Sequence, residues 1–195
     1  MEMTIKKLIA LGIFLLAGGS ARAQTQGGEQ LFLIPPSGWG IVAHDVRNNT
    51  EVTELAPAGQ TAQNWTDKLK VELIQGKPLA DVQTILNSLI KAVHEDCDDV
   101  GAGPPQIAVE NGFDTGMRAV ACPQTKETGR GEIGLLKVIL GKDRTYVVSR
   151  LWSGKPYPKD KIPLPTQTSD EWLAFMGKVT VCDPRDSAHP CPSTR

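Results

Sequence analysis

The chain has 195 residues, with 21 basic against 22 acidic side chains and a net charge of −1; 40% of residues are apolar and 5% aromatic. The charges are mixed along the chain, as on an ordinary solvated surface, and no clustered basic face of the kind a nucleic-acid partner requires is present.

Chain order begins with a leader. Lys6 and Lys7 precede an apolar run, Leu8 to Ala17, and small residues close in Ala21-Arg22-Ala23. This is the pattern of a secretory signal peptide, residues 1–23, with cleavage after Ala23 and Gln24 as the new start. The run is too short to span a bilayer, which takes roughly 20 apolar residues. No comparable stretch follows, so no transmembrane segment is expected in the mature chain. No cysteine follows the cleavage site, which argues against a lipid anchor. The style of the leader points to a periplasmic or secreted protein. Its removal takes Lys6, Lys7, Arg22 and Glu2 with it, so 172 residues remain and the net charge moves from −1 to −3. That length suits a single globular domain, expected over 24–182, followed by a Pro-rich tail at 183–195.

Gln30–Ile34 reads as a strand stopped by Pro35-Pro36. Trp39–Val46 reads as a second, with Ile41, Ala43 and Asp45 on one face and Val42, His44 and Val46 on the other. Asn48-Asn49 is turn chemistry, and Glu51–Leu55 returns as a third strand. Over 64–75 two periods compete. Trp65, Leu69 and Leu73 fit a helix capped by Asn64, with Asp67 at its third position; Leu69, Val71 and Leu73 fit a strand. A short helix followed by a strand is the preferred reading. Residues 79–94 form the clearest helix: Leu79, Val82, Ile85, Leu86, Leu89, Ile90 and Val93 recur at three and four, with Pro78 in the first turn. After a loop at 101–105, Gln106–Glu110 and Gly116–Cys122 make a hairpin through Asn111-Gly112. Ile133–Leu140 is almost wholly apolar, as in a strand covered on both faces. Gly141-Lys142-Asp143 turns the chain, and Thr145–Trp152 runs back beside it. The last helix is expected from a capping box at Thr168–Glu171, with Trp172, Phe175, Met176 and Val179 as its apolar stripe.

These elements predict an α+β fold: a largely antiparallel sheet of about six to seven strands flanked by two or three helices. Four cysteines in an exported chain most simply form two disulfides. Cys97, Cys122, Cys182 and Cys191 allow three pairings; Cys97–Cys122 and Cys182–Cys191 are favoured because each joins segments close in sequence. No C-x-x-C or zinc spacing occurs.

The segment Pro57-x-Gly59-Gln60-Thr61-x-x-Asn64-Trp65-Thr66 resembles one found in uncharacterised exported bacterial proteins. The Cys97…Cys122 pair and the hairpin Gly141-Lys142-Asp143-x-x-Tyr146-Val147-Val148 are similar too. By element order, most of the mature chain resembles the PsbP/Mog superfamily. The resemblance implies an antiparallel sheet sandwiched by helices and a role in binding or assembly, with no catalytic residues to carry over.

Local chemistry is sparse. Glu95, Asp96, Asp98 and Asp99 sit where the long helix ends and oppose its dipole. A cation such as calcium would offset that repulsion; a solvated acidic turn is the plainer reading. His44, His94 and His189 lie far apart, and no serine sits in a G-x-S-x-G elbow. Trp65 is the tryptophan most suggestive of a ligand contact, with Asn64 beside it. The sequence therefore points to a non-enzymatic periplasmic binding or envelope-assembly module without cofactor, its partner a protein or a small molecule. The alternatives are a secreted hydrolase assembled from distant loops, with His44, His94 and the acidic run as candidates, and a cation-binding module.

Overall fold

The computed structural model describes residues 28–193; the expected leader lies outside that range. In chain order the described elements are β1 (Gln30–Phe32), β2 (Trp39–Arg47), β3 (Thr50–Pro57), β4 (Asp67–Gln75), α1 (Val82–Asp96), β5 (Gly101–Ala102) and β6 (Gln106–Glu110). They continue with β7 (Phe113–Cys122), β8 (Gly131–Leu140), β9 (Arg144–Gly154), α2 (Thr166–Lys178) and β10 (Thr180–Cys182). Eight strands form one antiparallel sheet in the order β2-β3-β4-β9-β8-β7-β5, with β6 also on the outer side of β7. β1 and β10 make a separate two-stranded ribbon. The count exceeds the expected six to seven because β5 and β10, of two and three residues, carry no periodicity to read.

β8 lies between the two helices, and its alternation explains the two layers. Ile133, Leu135 and Ile139 face one side, with Trp172 and Met176 of α2. Leu136 and Val138 face the other, with Val82, Leu86 and Ile90 of α1. A strand covered on both faces must be nearly continuous in apolar residues, as this one is. Each fully buried Leu or Val here contributes roughly 1.5–3 kcal/mol. The hairpins form at the expected turns: Asn48 and Asn111 adopt φ of 52° and 50°, and Gly112 a φ of 79°. Left-handed residues at Asn111-Gly112 match the twist of a two-residue hairpin.

Four expectations are corrected. Residues 67–75 are one strand, and Asn64 caps no helix. β4 pairs with β9 from Asp67↔Trp152 to Gln75↔Arg144, so its period-two pattern prevails. The long helix starts at Val82, where Asp81 accepts a hydrogen bond from the Thr84 amide at 2.7 Å; Leu79 and Pro78 lie before it and Leu79 is fully exposed. α2 starts at Thr166 behind Pro165 with no side-chain cap, so Thr168–Glu171 lies inside the helix and forms no capping box. In β2 a bulge between Ile41 and Ala43 resets the alternation. Ile41, His44 and Val46 then face Leu55, Thr53 and Glu51, and so share one side of the sheet.

Both favoured disulfides form: Cys97–Cys122 ties the end of α1 to the end of β7, and Cys182–Cys191 ties β10 to the tail. α1 lies so close to β7 that only glycine fits at 116. A Cβ there would press on Val82 and stand 2.9 Å from Ile107 Cδ1 and 3.0 Å from Leu86 Cδ1, whereas one at Gly40 meets nothing within 4 Å. Gly116→Ala is expected to cost about 1–3 kcal/mol by overpacking, while Gly40→Ala leaves the denaturation midpoint unchanged or slightly raised. Chemical denaturation of the two variants beside wild type checks this, and equal midpoints would refute the close approach of α1.

Candidate functional site

An apolar cleft of about 570 Å³ opens at one end of the α2 layer. Phe32 and Ile34 enter from the end of β1 and the residues beyond it, Phe175 and Val179 from the end of α2, and Pro192 from the disulfide-tied tail. Glu110, the last residue of β6, brings the one carboxylate, and Lys178 stands among the lining residues. Ile34 is 65% exposed, as Ile41 and Val109 are elsewhere, so what distinguishes the cleft is that Ile34 adjoins Phe32, Phe175 and Val179 in one apolar lining.

Glu110 is held from beneath. Its Oε2 accepts a hydrogen bond from Lys137 Nζ at 2.6 Å. Lys137 is wholly buried. The same ammonium donates to the carbonyls of Met176 at 2.9 Å and Val179 at 2.7 Å. These carbonyls lie at the C-terminus of α2, where the helix leaves acceptors unpaired and its dipole is negative. All three ammonium protons therefore have acceptors, the condition under which a buried charge is tolerated. One signal for this site was present in the sequence: Lys137 is the only charged residue in the run Ile133–Leu140. Glu110 and the α2 carbonyls are distant in sequence, and nothing local marked them as its partners.

None of the candidate binding, catalytic or metal-ligating residues named from sequence lines this cleft. Gln60, Thr61, Asn64 and Thr66 bond to one another. Gln60 Oε1 accepts from the Thr66 amide at 2.7 Å, and Thr61 Oγ1 from the Asn64 amide at 3.0 Å. Their polarity goes into closing the loop before β4. Trp65 is buried beneath Lys68, whose Nζ lies 4.3 Å from the ring centroid, and its carbonyl accepts from Arg130 at 2.9 Å. The acidic run is dispersed. Asp98 pairs with Lys126 at 2.8 Å, Asp99 with Lys159, and Asp96 accepts from the Glu127 amide at 2.9 Å. Lys126 also donates to the Glu95 carbonyl at 3.2 Å. Among the described residues no group of three or more His, Cys, Asp or Glu gathers as metal ligands.

The histidines stand apart. His44 bonds Thr53 at 3.1 Å on the α2 side of the sheet, and His94 is exposed in the last turn of α1 on the other. His189, in the tail, sits 2.7 Å from the Asn111 carbonyl and lies tilted against Phe113 with ring centroids 4.5 Å apart. Its role is to dock the tail on the β6–β7 turn.

A smaller cavity of about 140 Å³ beside the Cys97–Cys122 disulfide contains Glu132 and Asp96. Burial pushes the Glu132 carboxyl above its ordinary pKa; Lys68 and Arg130 pull it down in part, and Asp96 adds to the rise.

No protein-family model matches the chain, and no curated protein matches it in sequence. Solved structures do match its fold. A mutant of Mog1 aligns with 80% of this chain and 92% of its own, at 13% identity and a TM-score of 0.52. The Ran-binding protein Mog1p of Saccharomyces cerevisiae aligns with 80% of this chain and 97% of its own, at 14% identity and a TM-score of 0.50. The fold is thus Mog1-like, as the element order implied.

Lys137→Met leaves the α2 carbonyls and Glu110 without their donor and is expected to cost about 2–4 kcal/mol. Adding Glu110→Gln should cost less than it does alone, so the double-mutant cycle shows coupling of at least about 1 kcal/mol; strict additivity would sink the pair as described. Glu132 binds its proton more tightly folded than unfolded. Its stabilising effect is therefore full below the unfolded carboxyl pKa and is lost as pH rises through the raised folded value. Glu132→Gln should raise the melting temperature at about pH 7, the gain vanishing near about pH 3. A gain that grows on acidification would reverse the assignment.

Proposed function

We propose that this chain is a non-enzymatic binding module, periplasmic or secreted, exported through the leader at residues 1–23, and that it takes a protein partner at the apolar cleft. The observation that carries this reading is the cleft itself: aliphatic and aromatic walls, an exposed Ile34, and a single carboxylate already committed to a buried lysine. Such a surface suits an apolar anchor from a partner better than it suits bond-breaking chemistry, which needs titratable groups converging on one point. His44 and His94 lie on opposite sides of the sheet, which weighs against a hydrolase built from them. The two disulfides support an oxidising compartment. One solved neighbour is titled a Ran-binding protein, which favours a protein partner as the class of ligand, without extending Ran to this chain.

The test uses the chain from residue 24 as bait in an envelope extract of its host. Wild type and Val46→Asp, a control on β2 that is 62% exposed, should retain the same partner, and Ile34→Asp should lose at least about tenfold of it. Equal capture by Ile34→Asp would exclude the cleft. In protein recovered from the host, an intact mass starting at Met1, or four free thiols, would exclude the exported setting.

A further inference from the structure

Among the described residues the sheet ends in two unpaired edges, and they are built differently. β2 carries the devices that block edge pairing: a bulge between Ile41 and Ala43, then His44, Asp45 and Arg47, with Asp45 and Arg47 in an ion pair at 2.6 Å. β6 carries none. Its sequence, Gln106-Ile107-Ala108-Val109-Glu110, has no proline, glycine, lysine or bulge, and four of its five residues are exposed. Ile107 is 52% exposed and Val109 67%.

The hydrogen-bond phase of the hairpin decides what this edge offers. The two-residue turn makes Glu110↔Phe113 the first hydrogen-bonded pair, followed by Ala108↔Thr115 and Gln106↔Met117. The N–H and C=O groups of Ile107 and Val109 therefore point outward. Pro104-Pro105 lies before the strand and the Asn111-Gly112 turn after it, so the outward groups are confined to these two residues.

We propose that β6 pairs with β6 of a second copy of this chain, antiparallel about a twofold axis at Ala108, joining two sheets into one. In that register Ile107 faces Val109 of the second copy and the reverse. These are the residues with free amides and carbonyls, so four backbone hydrogen bonds form, and Ala108 meets its own copy across a non-hydrogen-bonded position. Ile107 and Val109 stand opposite Gly116 and Asp114 on the α1 side of the sheet. Across the axis they make a row of four aliphatic side chains. Gln106 falls opposite Glu110 of the second copy, so no like charges meet, and Glu110 keeps Oε2 on Lys137 while Oε1 stays free for the Gln106 amide. A parallel arrangement would set Glu110 against Glu110. The strand thus complements itself in backbone polarity, shape and charge. Five residues per copy make an interface at or below about 1,200 Å², the class of reversible, concentration-dependent dimers.

Sedimentation equilibrium of the chain from residue 24, from about 5 to about 500 μM, should show the mass rising from one copy toward two. Val109→Pro removes an outward N–H and no hairpin bond, and should weaken the dimer at least about tenfold with little change in melting temperature. Ile107→Lys should do the same by side-chain charge, which keeps the test decisive if the proline variant unfolds. The described chain has no free cysteine, so Ala108→Cys reports position directly. Its Cα atoms should meet at about 4.5 Å and oxidise to a covalent dimer, while Val46→Cys on β2 stays monomeric. A monomer throughout the range, which would leave the edge to a strand from another protein, overturns the proposal. So does a dimer that Val109→Pro and Ile107→Lys leave intact, or one that crosslinks through Val46→Cys.

Discussion

A wholly buried ammonium sits in the most aliphatic strand of the protein, and the α2 side of the sheet is arranged around it. Removing a charge from water costs several kcal/mol even after relaxation, so Lys137 is tolerated only where acceptors meet it. It takes Glu110 from β6 and the carbonyls of Met176 and Val179 from the end of α2. The consequence is positional. α2 must end over β8 at this point, and β10 must begin at Thr180. β1 is thereby placed through Leu31↔Val181. The walls of the cleft, Phe32, Phe175 and Val179, follow from where one lysine can be satisfied.

The second constraint is that the sheet is wider than the helix that covers its far side. α1 packs on β7 and β8 and reaches Val147 of β9. Beyond it, on the same side, β3 and β4 present Glu54–Lys68 at 3.1 Å and Lys70–Glu72 at 2.9 Å. Lys70–Glu72 is partly exposed and contributes about 0–1 kcal/mol, whereas the Lys68 ammonium is buried over Trp65 and its charge is offset there by the Glu54 carboxylate. The α2 side treats its margin differently. Arg150 lies 4.2 Å from the Trp39 ring centroid and 5.1 Å from that of Trp172, with Asp67 at 3.3 Å. Burial lowers the arginine's pKa and raises that of the aspartate, and their mutual attraction opposes both shifts. The guanidinium closes the core against water while keeping its charge, which an aliphatic residue at this edge would not do.

What could be read from sequence was whatever is encoded within about ten residues. The Asn111-Gly112 hairpin, the body of α1 and the doubly covered strand at 133–140 are local patterns with one physical solution. The stretch at 64–75 has two. Trp65, Leu69 and Leu73 recur every four residues, which is one face of a helix and equally one face of a strand; only the neighbours β3 and β9 decide between them. The capping box at Thr168 failed because Pro165 had already started the helix upstream. The site was less legible still. Lys137 was conspicuous by type, but Glu110 precedes it by 27 residues and Val179 follows by 42, so only the completed fold joins them. The acidic run looked like a site because sequence shows carboxylates together without showing Lys126 and Lys159 arriving from elsewhere.

The two disulfides serve different ends, and the difference bears on the cleft. By the chain-entropy relation, bridges across 25 and 9 residues contribute about 3.5 and about 2.5 kcal/mol. The longer one fastens α1 to the sheet that it already covers. The shorter one constrains the unfolded chain less but holds a tail with few other anchors: His189 on the Asn111 carbonyl, Asp186 on Lys142 at 2.8 Å, and Asn111 Nδ2 on the Pro190 carbonyl at 3.2 Å. That tail brings Pro192 to the cleft, whose other walls come from residues 32–34 and 175–180. A cleft drawn from both ends of the described chain cannot exist until the sheet between them has closed. Its integrity then reports on the whole fold, and the Cys182–Cys191 bridge keeps its last wall in place.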